Sequence, residues 1–196
     1  MDGFEKRRQQ KKDSILRAAK ELFKQYGFKK VSVAEIAKRA SVSQVSIYNF
    51  FGSKENLKQE LSKKLVNDNF LEMMDILKSQ DTIKLKFEKL LISKINFLKS
   101  IFEYFFPKYL ENDISFEENL VEEVTQKFKN PILNLIDEGK KKGIFDDSIS
   151  AQAITTYLEI IQYYFFNNPS ALAKFNNNPE LTREIPSLFL SALMKK

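Results

Sequence analysis

Apolar residues in this chain recur at the spacing of a helix, and no stretch alternates as a strand would. Ile15, Ala18, Ala19, Leu22, Phe23 and Tyr26 fall at i, i+3, i+4, i+7, i+8 and i+11, one apolar stripe on one helix. Gly27 follows where a left-handed terminating residue is expected. Gly and Pro number only five each, which suits long helices joined by short turns and argues against a turn-rich β-sandwich. With 196 residues, 43% of them hydrophobic, the chain is long enough to bury a core. The expected fold class is all-α.

The next segment is more specific. Ser32-Val33-Ala34-Glu35 is an S-x-x-E capping box, which predicts a short helix with Val33, Ile36, Ala37 and Ala40 inward. Ser41-Val42-Ser43 interrupts the pattern. Ser43 then caps a third helix from Gln44 to about Phe50, with Val45 or Ile47 and Phe51 available for packing. Gly52-Ser53 breaks that helix, and Ser53 caps a fourth that runs to about Ser79 through Leu57, Leu61, Leu65 and Met73. Two short helices around a three-residue turn, braced by a longer one, are the anatomy of a helix-turn-helix. The chain therefore divides into a three-helix head, 1–52, and a helical body, 53–196.

The body reads as further helices over 82–109, 115–142 (kinked at Pro131), 150–166, and from Pro179 with a bend at Pro186. Lys140-Lys141-Lys142 ahead of Gly143 places cations at a negative helix end and needs no ligand. The helix over 150–166 is apolar almost all round.

Charge is unevenly placed. Residues 1–60 hold 14 Lys/Arg against 7 Asp/Glu, whereas residues 61–196 hold 18 against 19. The whole excess of positive charge lies in the head, where a polyanion would dock. There is no Cys and no His, so disulfides, thiolate metal sites and histidine-based triads are excluded. No nucleophile–base pair or phosphate loop appears. Accordingly no catalytic residue, metal or cofactor is expected. The first residues lack the apolar core of a signal peptide, and no apolar run approaches the ~18 residues of a membrane span. The expected setting is the cytoplasm, with no membrane partner.

The run Ile15…Ala18-Ala19…Leu22-Phe23…Gly27…Val31-Ser32-Val33…Ile36-Ala37…Ala40…Val42-Ser43…Ile47-Tyr48…Phe50-Phe51…Ser53-Lys54-Glu55…Leu57 resembles the DNA-binding head of the tetracycline-repressor (TetR) family. It covers about residues 10–60 with the spacing kept. Two positions depart from the pattern: Ser41 stands where the turn usually has Gly, and Asn49 where His is frequent.

In a helix-turn-helix the N-terminal residues of the second helix face base edges in the major groove. Here these are Gln44, Val45 and Ser46, with Asn49 one turn later. Gln pairs with adenine N6 and N7, Val meets a thymine methyl, and Ser reaches several edges. Helix N-termini at Ser32, Ser43 and Ser53-Lys54 are the expected phosphate contacts. The resemblance adds a Tyr48 hydroxyl on a phosphate. Lys6, Arg7, Arg8, Lys11 and Lys12 form a basic arm suited to the DNA backbone or minor groove.

One recognition helix reads few base pairs, so a homodimer on a pseudo-palindromic double-stranded operator is expected. The resemblance places the dimer interface on the last two long helices, with Tyr163, Leu188, Phe189 and Ala192 as candidates. It also implies repression released by a small hydrophobic ligand in the body. Thirteen of 18 Phe and five of 7 Tyr lie beyond residue 60. Phe97, Phe102, Phe105, Tyr109, Phe128, Tyr157 and Tyr164 are the pocket candidates. Glu159 and Gln162 share a face of the apolar helix as polar anchors or as a solvated or interface edge. A DNA-binding protein with a filled, ligand-free core stays open beside the ligand-responsive reading.

Overall fold

The computed structural model describes residues 3–105, 118–168, 171, 174–175 and 177–195, with the side chains of 101–105, 118–125 and 166–167 outside that description. Its helices are α1 (Gly3–Tyr26), α2 (Val33–Ala40), α3 (Gln44–Phe51), α4 (Lys54–Lys78), α5 (Ile83–Phe105), α6 (Glu118–Lys141), α7 (Ala151–Asn167) and α8 (Leu181–Leu193). Among the described residues the one β-type pairing is an isolated bridge between Phe145 and Met194. The fold class is all-α. The described residues gather into two compact units, 3–66 with 100–105, and 67–99 with 118–195.

In the first unit α1 starts ten residues ahead of Asp13, so the basic run is its first three turns. Ile15, Leu16, Ala18, Ala19 and Phe23 bury its stripe, while Leu22 is half-buried and Tyr26 is exposed. Gly27, with φ 84°, ends the helix as expected. Both halves of the capping box are formed: the Glu35 amide donates to Ser32 Oγ at 3.2 Å, and the Ser32 amide donates to Glu35 Oε2 at 2.7 Å. These bonds satisfy amides that an eight-residue helix leaves open at its start. The Ser32 amide and hydroxyl together hold the Glu35 carboxyl below its ordinary pKa. Ser41 sits in the left-handed region at φ 56°, ψ 43°, and turns the chain from α2 into α3. Ser43 caps α3 by accepting from the Ser46 amide at 3.1 Å. Of the two packing candidates on α3, Ile47 goes inside with Phe51, and Val45 faces solvent.

The second unit closes around Met73, Phe87, Leu90, Ile136, Phe145, Ile154 and Leu190, contributed by α4 to α8 and the turn after α6. Phe87 and Phe145 meet edge to face at 5.3 Å between ring centroids. Gly139 on α6 makes room for this pair, because a Cβ there would collide with the Phe145 ring. The bridge pins the end of α8 beside that turn: the Asp146 amide donates to Leu193 O at 2.9 Å, and the Lys195 amide to Ile144 O at 3.0 Å. Lys140, in the triple Lys, donates to Ile149 O, and Lys142 pairs with Glu138 at 2.7 Å. Ser150 caps α7 by accepting from the Ala153 amide at 3.0 Å.

Candidate functional site

The recognition face of the first unit follows from helical phase. Ile47 and Phe51 are buried, which leaves Gln44, Val45, Tyr48 and Asn49 on the outer side of α3. Val45 is 65% and Tyr48 50% exposed. An apolar valine so displayed has no packing role in the isolated chain. Ser46 is half-buried, and its hydroxyl lies 2.9 Å from that of Ser43.

Three capped helix starts fall between residues 32 and 54. Ser32 heads α2, Ser43 heads α3, and Ser53 accepts from the Asn56 amide at 3.0 Å to head α4. Each contributes outward amides and a partial positive charge. The Lys54 ammonium is turned inward: it donates to Phe28 O and Val31 O, each at 3.0 Å, and lies 4.3 Å from the Phe28 ring centroid. It braces the start of α4 to the loop after α1.

The basic arm is helical from Gly3 onward. Lys6, Arg7 and Lys11 are exposed. Arg8 pairs with Glu5 at 3.6 Å and lies over the Phe50 ring, 5.8 Å from its centroid. Lys12 reaches Glu60 on α4 at 3.0 Å, and its ammonium is the main cause of the lowered Glu60 pKa. Arg39 donates through Nε and Nη2 to Glu21 Oε2, tying α2 to α1. Part of the head's charge therefore holds its helices together.

In the second unit α7 buries Ile154, Leu158, Gln162 and Phe165 and leaves Tyr157, Ile160, Tyr163 and Tyr164 on its outer side. Ile160 is 59% and Tyr163 72% exposed. On α8, Leu188 is 69% exposed, Ala192 is exposed and Phe189 is half-buried. Tyr157 stacks on Phe189 with ring centroids 4.8 Å apart. The interface candidates thus lie on two helices in contact, beside a broad apolar surface.

Two small spaces open inside this unit. One, of about 50 Å³, lies between α5, α7 and α8 and is lined by Leu91, Tyr157, Ile161 and Pro186 among others. The second, of about 30 Å³, is lined by Met73, Phe97, Phe128 and Ile132 among others. Phe97, Phe128 and Tyr157 of the pocket candidates border these spaces, whereas Tyr164 stands on the outer side of α7. Tyr109 lies outside the described residues, as do the side chains of Phe102 and Phe105. Of the polar pair on α7, Gln162 faces both spaces and Glu159 is exposed.

Lys94, which the sequence reading passed over, also lines both spaces. Its signal was present: Phe87, Leu91, Lys94 and Leu98 follow one another at helical spacing, so a charge interrupts an apolar stripe. Burial pushes the Lys94 ammonium down to about 8, against the pull of the Glu159 carboxylate. No helix of the described residues is long and apolar enough to cross a membrane.

Comparison with known proteins places this arrangement. Residues 15–61 match the family model of bacterial regulatory proteins, tetR family. The chain is 27% identical to the HTH-type transcriptional regulator QacR of Staphylococcus aureus over 205 residues, covering 94% of this chain and 98% of that protein. It is also 27% identical to an HTH-type transcriptional regulator, YhgD of Bacillus subtilis, over 144 residues, with 74% and 72% covered. Among solved structures it resembles the transcriptional regulator FadR from Bacillus subtilis in complex with stearoyl-CoA, with a TM-score of 0.66 at 20% identity over 92% of this chain and 98% of that one. Residues 15–61 thus match the DNA-binding head of the tetR family, and over most of its length the chain is similar to helix-turn-helix regulators of transcription.

Proposed function

We propose that the protein acts as a homodimeric repressor whose two heads read a pseudo-palindromic operator and whose hold on DNA is released by a small hydrophobic ligand in the second unit. The observation that carries the DNA half is the outward face of α3, Gln44, Val45, Tyr48 and Asn49, in a segment with three capped helix starts. Gln44, Val45, Ser46 and Asn49 contact bases. Ser32, Ser43, Tyr48 and Ser53 contact phosphates, and Lys54 supports them from behind through its two carbonyls while adding its charge to the field.

The dimer reading is supported by the uncovered apolar side chains on α7 and α8, which a second copy would bury. The ligand reading is supported by the two internal spaces, and by a fold shared with a FadR that was crystallised with stearoyl-CoA. Helix α4 runs unbroken from Lys54 to Lys78, so it is the element through which a ligand-dependent setting of the body would reach the head. Spaces of only about 50 and 30 Å³ favour the second reading, a filled core that senses nothing.

Titration of the protein against DNA from upstream of its own coding region tests the first half. Gln44→Ala is expected to weaken binding to the cognate duplex by about 1–3 kcal/mol and to leave random-sequence binding unchanged. Equal loss on every duplex would refute the assignment of Gln44 to base reading. Thermal stabilisation by a panel of apolar compounds separates a sensing body from an inert one.

A further inference from the structure

Phe28 stands in the short loop between α1 and α2, and the first unit is built around it from two sides. On the α1 side its ring meets the ring of Phe23 edge to face, with centroids 5.2 Å apart, and Phe23 is fully buried. On the α4 side two ammonium groups lie over the same ring, Lys54 at 4.3 Å and Lys58 at 5.1 Å from its centroid. These lysines are four residues apart and so share one face of α4. Lys54 also donates to the carbonyls of Phe28 and Val31, each at 3.0 Å. Val31 is buried, and the next residue, Ser32, caps α2.

A cation over an aromatic face is attracted by the ring quadrupole, and the attraction grows where water is kept away. Phe28 is half-buried and so is Lys54. The ring and the two carbonyls therefore direct the Lys54 ammonium into the loop, and the loop is tied to the first residue of α4. Its far end carries the start of α2. One aromatic residue thus links two helix starts, Ser32 of α2 and Ser53 of α4, that lie 21 residues apart in sequence. Hydrogen bonds to phosphate hold only within a few tenths of an ångström, so the spacing of two such donors has to be kept. We propose that Phe28 is a positioning residue for DNA binding: its ring and carbonyl seat the Lys54 ammonium, this fixes the start of α2 against the start of α4, and Phe28 itself touches no DNA. This rests on the DNA-binding reading above and adds to it the residue that keeps two of its phosphate contacts in register.

The test measures binding of the full chain to a duplex from upstream of its own coding region and to a random-sequence duplex, at a temperature where melting curves show each variant folded. Phe28→Leu keeps an apolar side chain and loses the ring face. It is expected to weaken binding to both duplexes by about 3- to 10-fold, the range that a cation–π contact supports. Phe28→Tyr keeps the ring face and is expected to bind within about twofold of the natural protein. Lys54→Met, which keeps the stem, is expected to lose at least as much as Phe28→Leu, and in its background Phe28→Leu is expected to cost no more than about twofold. If folded Phe28→Leu binds as the natural protein does, with only its melting temperature lowered, the ring merely fills space and the assignment is wrong. It is equally wrong if Phe28→Tyr is as weak as Phe28→Leu, or if Phe28→Leu costs as much with Lys54→Met as without it. In each of these cases the DNA-binding reading survives. If the natural protein binds neither duplex, that reading fails and the assignment falls with it.

Discussion

Ser41 shows how one side chain can work against an otherwise well-formed motif. Its left-handed backbone, φ 56°, is imposed by the turn between α2 and α3, and among the described residues it is the one non-glycine with positive φ. A Cβ in that region costs about 1 kcal/mol. Ser41→Gly is therefore expected to stabilise the head by up to about 1 kcal/mol in urea unfolding, with the DNA-reading face unchanged. Lys94 carries the opposite kind of strain. Its folded pKa is lowered from 10.5 to about 8, so between those values the unfolded chain holds a proton that the folded chain has released. Stability then rises with pH across that window, and below about pH 8 the full cost of keeping the ammonium buried is present. Measured as the difference from Lys94→Met, so that other titrating groups cancel, the natural protein is expected to gain on the order of 3 kcal/mol from pH 8 to 10.5. A flat difference would mean that the amine is solvated.

At the scale of elements, caps and turns were the legible part. Ser32 with Glu35, Ser43, Ser53 and Ser150 each cap the helix that local pattern assigned to them. A cap depends on residues three or four positions apart, and that information is entirely local. The start of α1 is less legible: the helix runs from Gly3 through Asp13 and Ser14, residue types that cap helices elsewhere. Gly139 is the reverse case, a mid-helix glycine with no local reason. Its reason is the Phe145 ring that packs against it. Gly139→Ala is expected to destabilise the second unit by about 1–3 kcal/mol through overpacking, despite the better helix propensity of alanine. A gain in melting temperature would show that Phe145 has room to move.

For the molecule as a whole, two surfaces govern behaviour in solution. The head carries the excess of positive charge, which makes DNA affinity depend on salt through the number of phosphates neutralised. The outer sides of α7 and α8 carry Ile160, Tyr163 and Leu188. A helix as apolar as α7 calls for cover on every side, and in the single chain only the side with Ile154, Leu158 and Phe165 has it. Leu188→Glu places a charge in the middle of that surface. It is expected to shift sedimentation equilibrium toward monomer and to weaken binding to a two-half-site duplex more than to a single half-site. A variant that sediments as the natural protein does would remove α8 from the interface.

What the residues alone determined were the features that depend on near neighbours. Helix class, caps, the three-residue turn, the outward phase of Gln44, and the confinement of positive charge to the first sixty residues all follow from spacing along the chain. What only the tertiary structure decided were the features that depend on residues far apart in sequence. It turned Lys54 inward to the carbonyls of Phe28 and Val31 and set Gly139 under Phe145. It also brought Lys94 of α5 and Gln162 of α7 to the same two internal spaces. Periodicity names the face of a helix that is buried. The partner that buries it, and whether a charge on that face meets a carbonyl, a carboxylate or a cavity, is settled when helices pack.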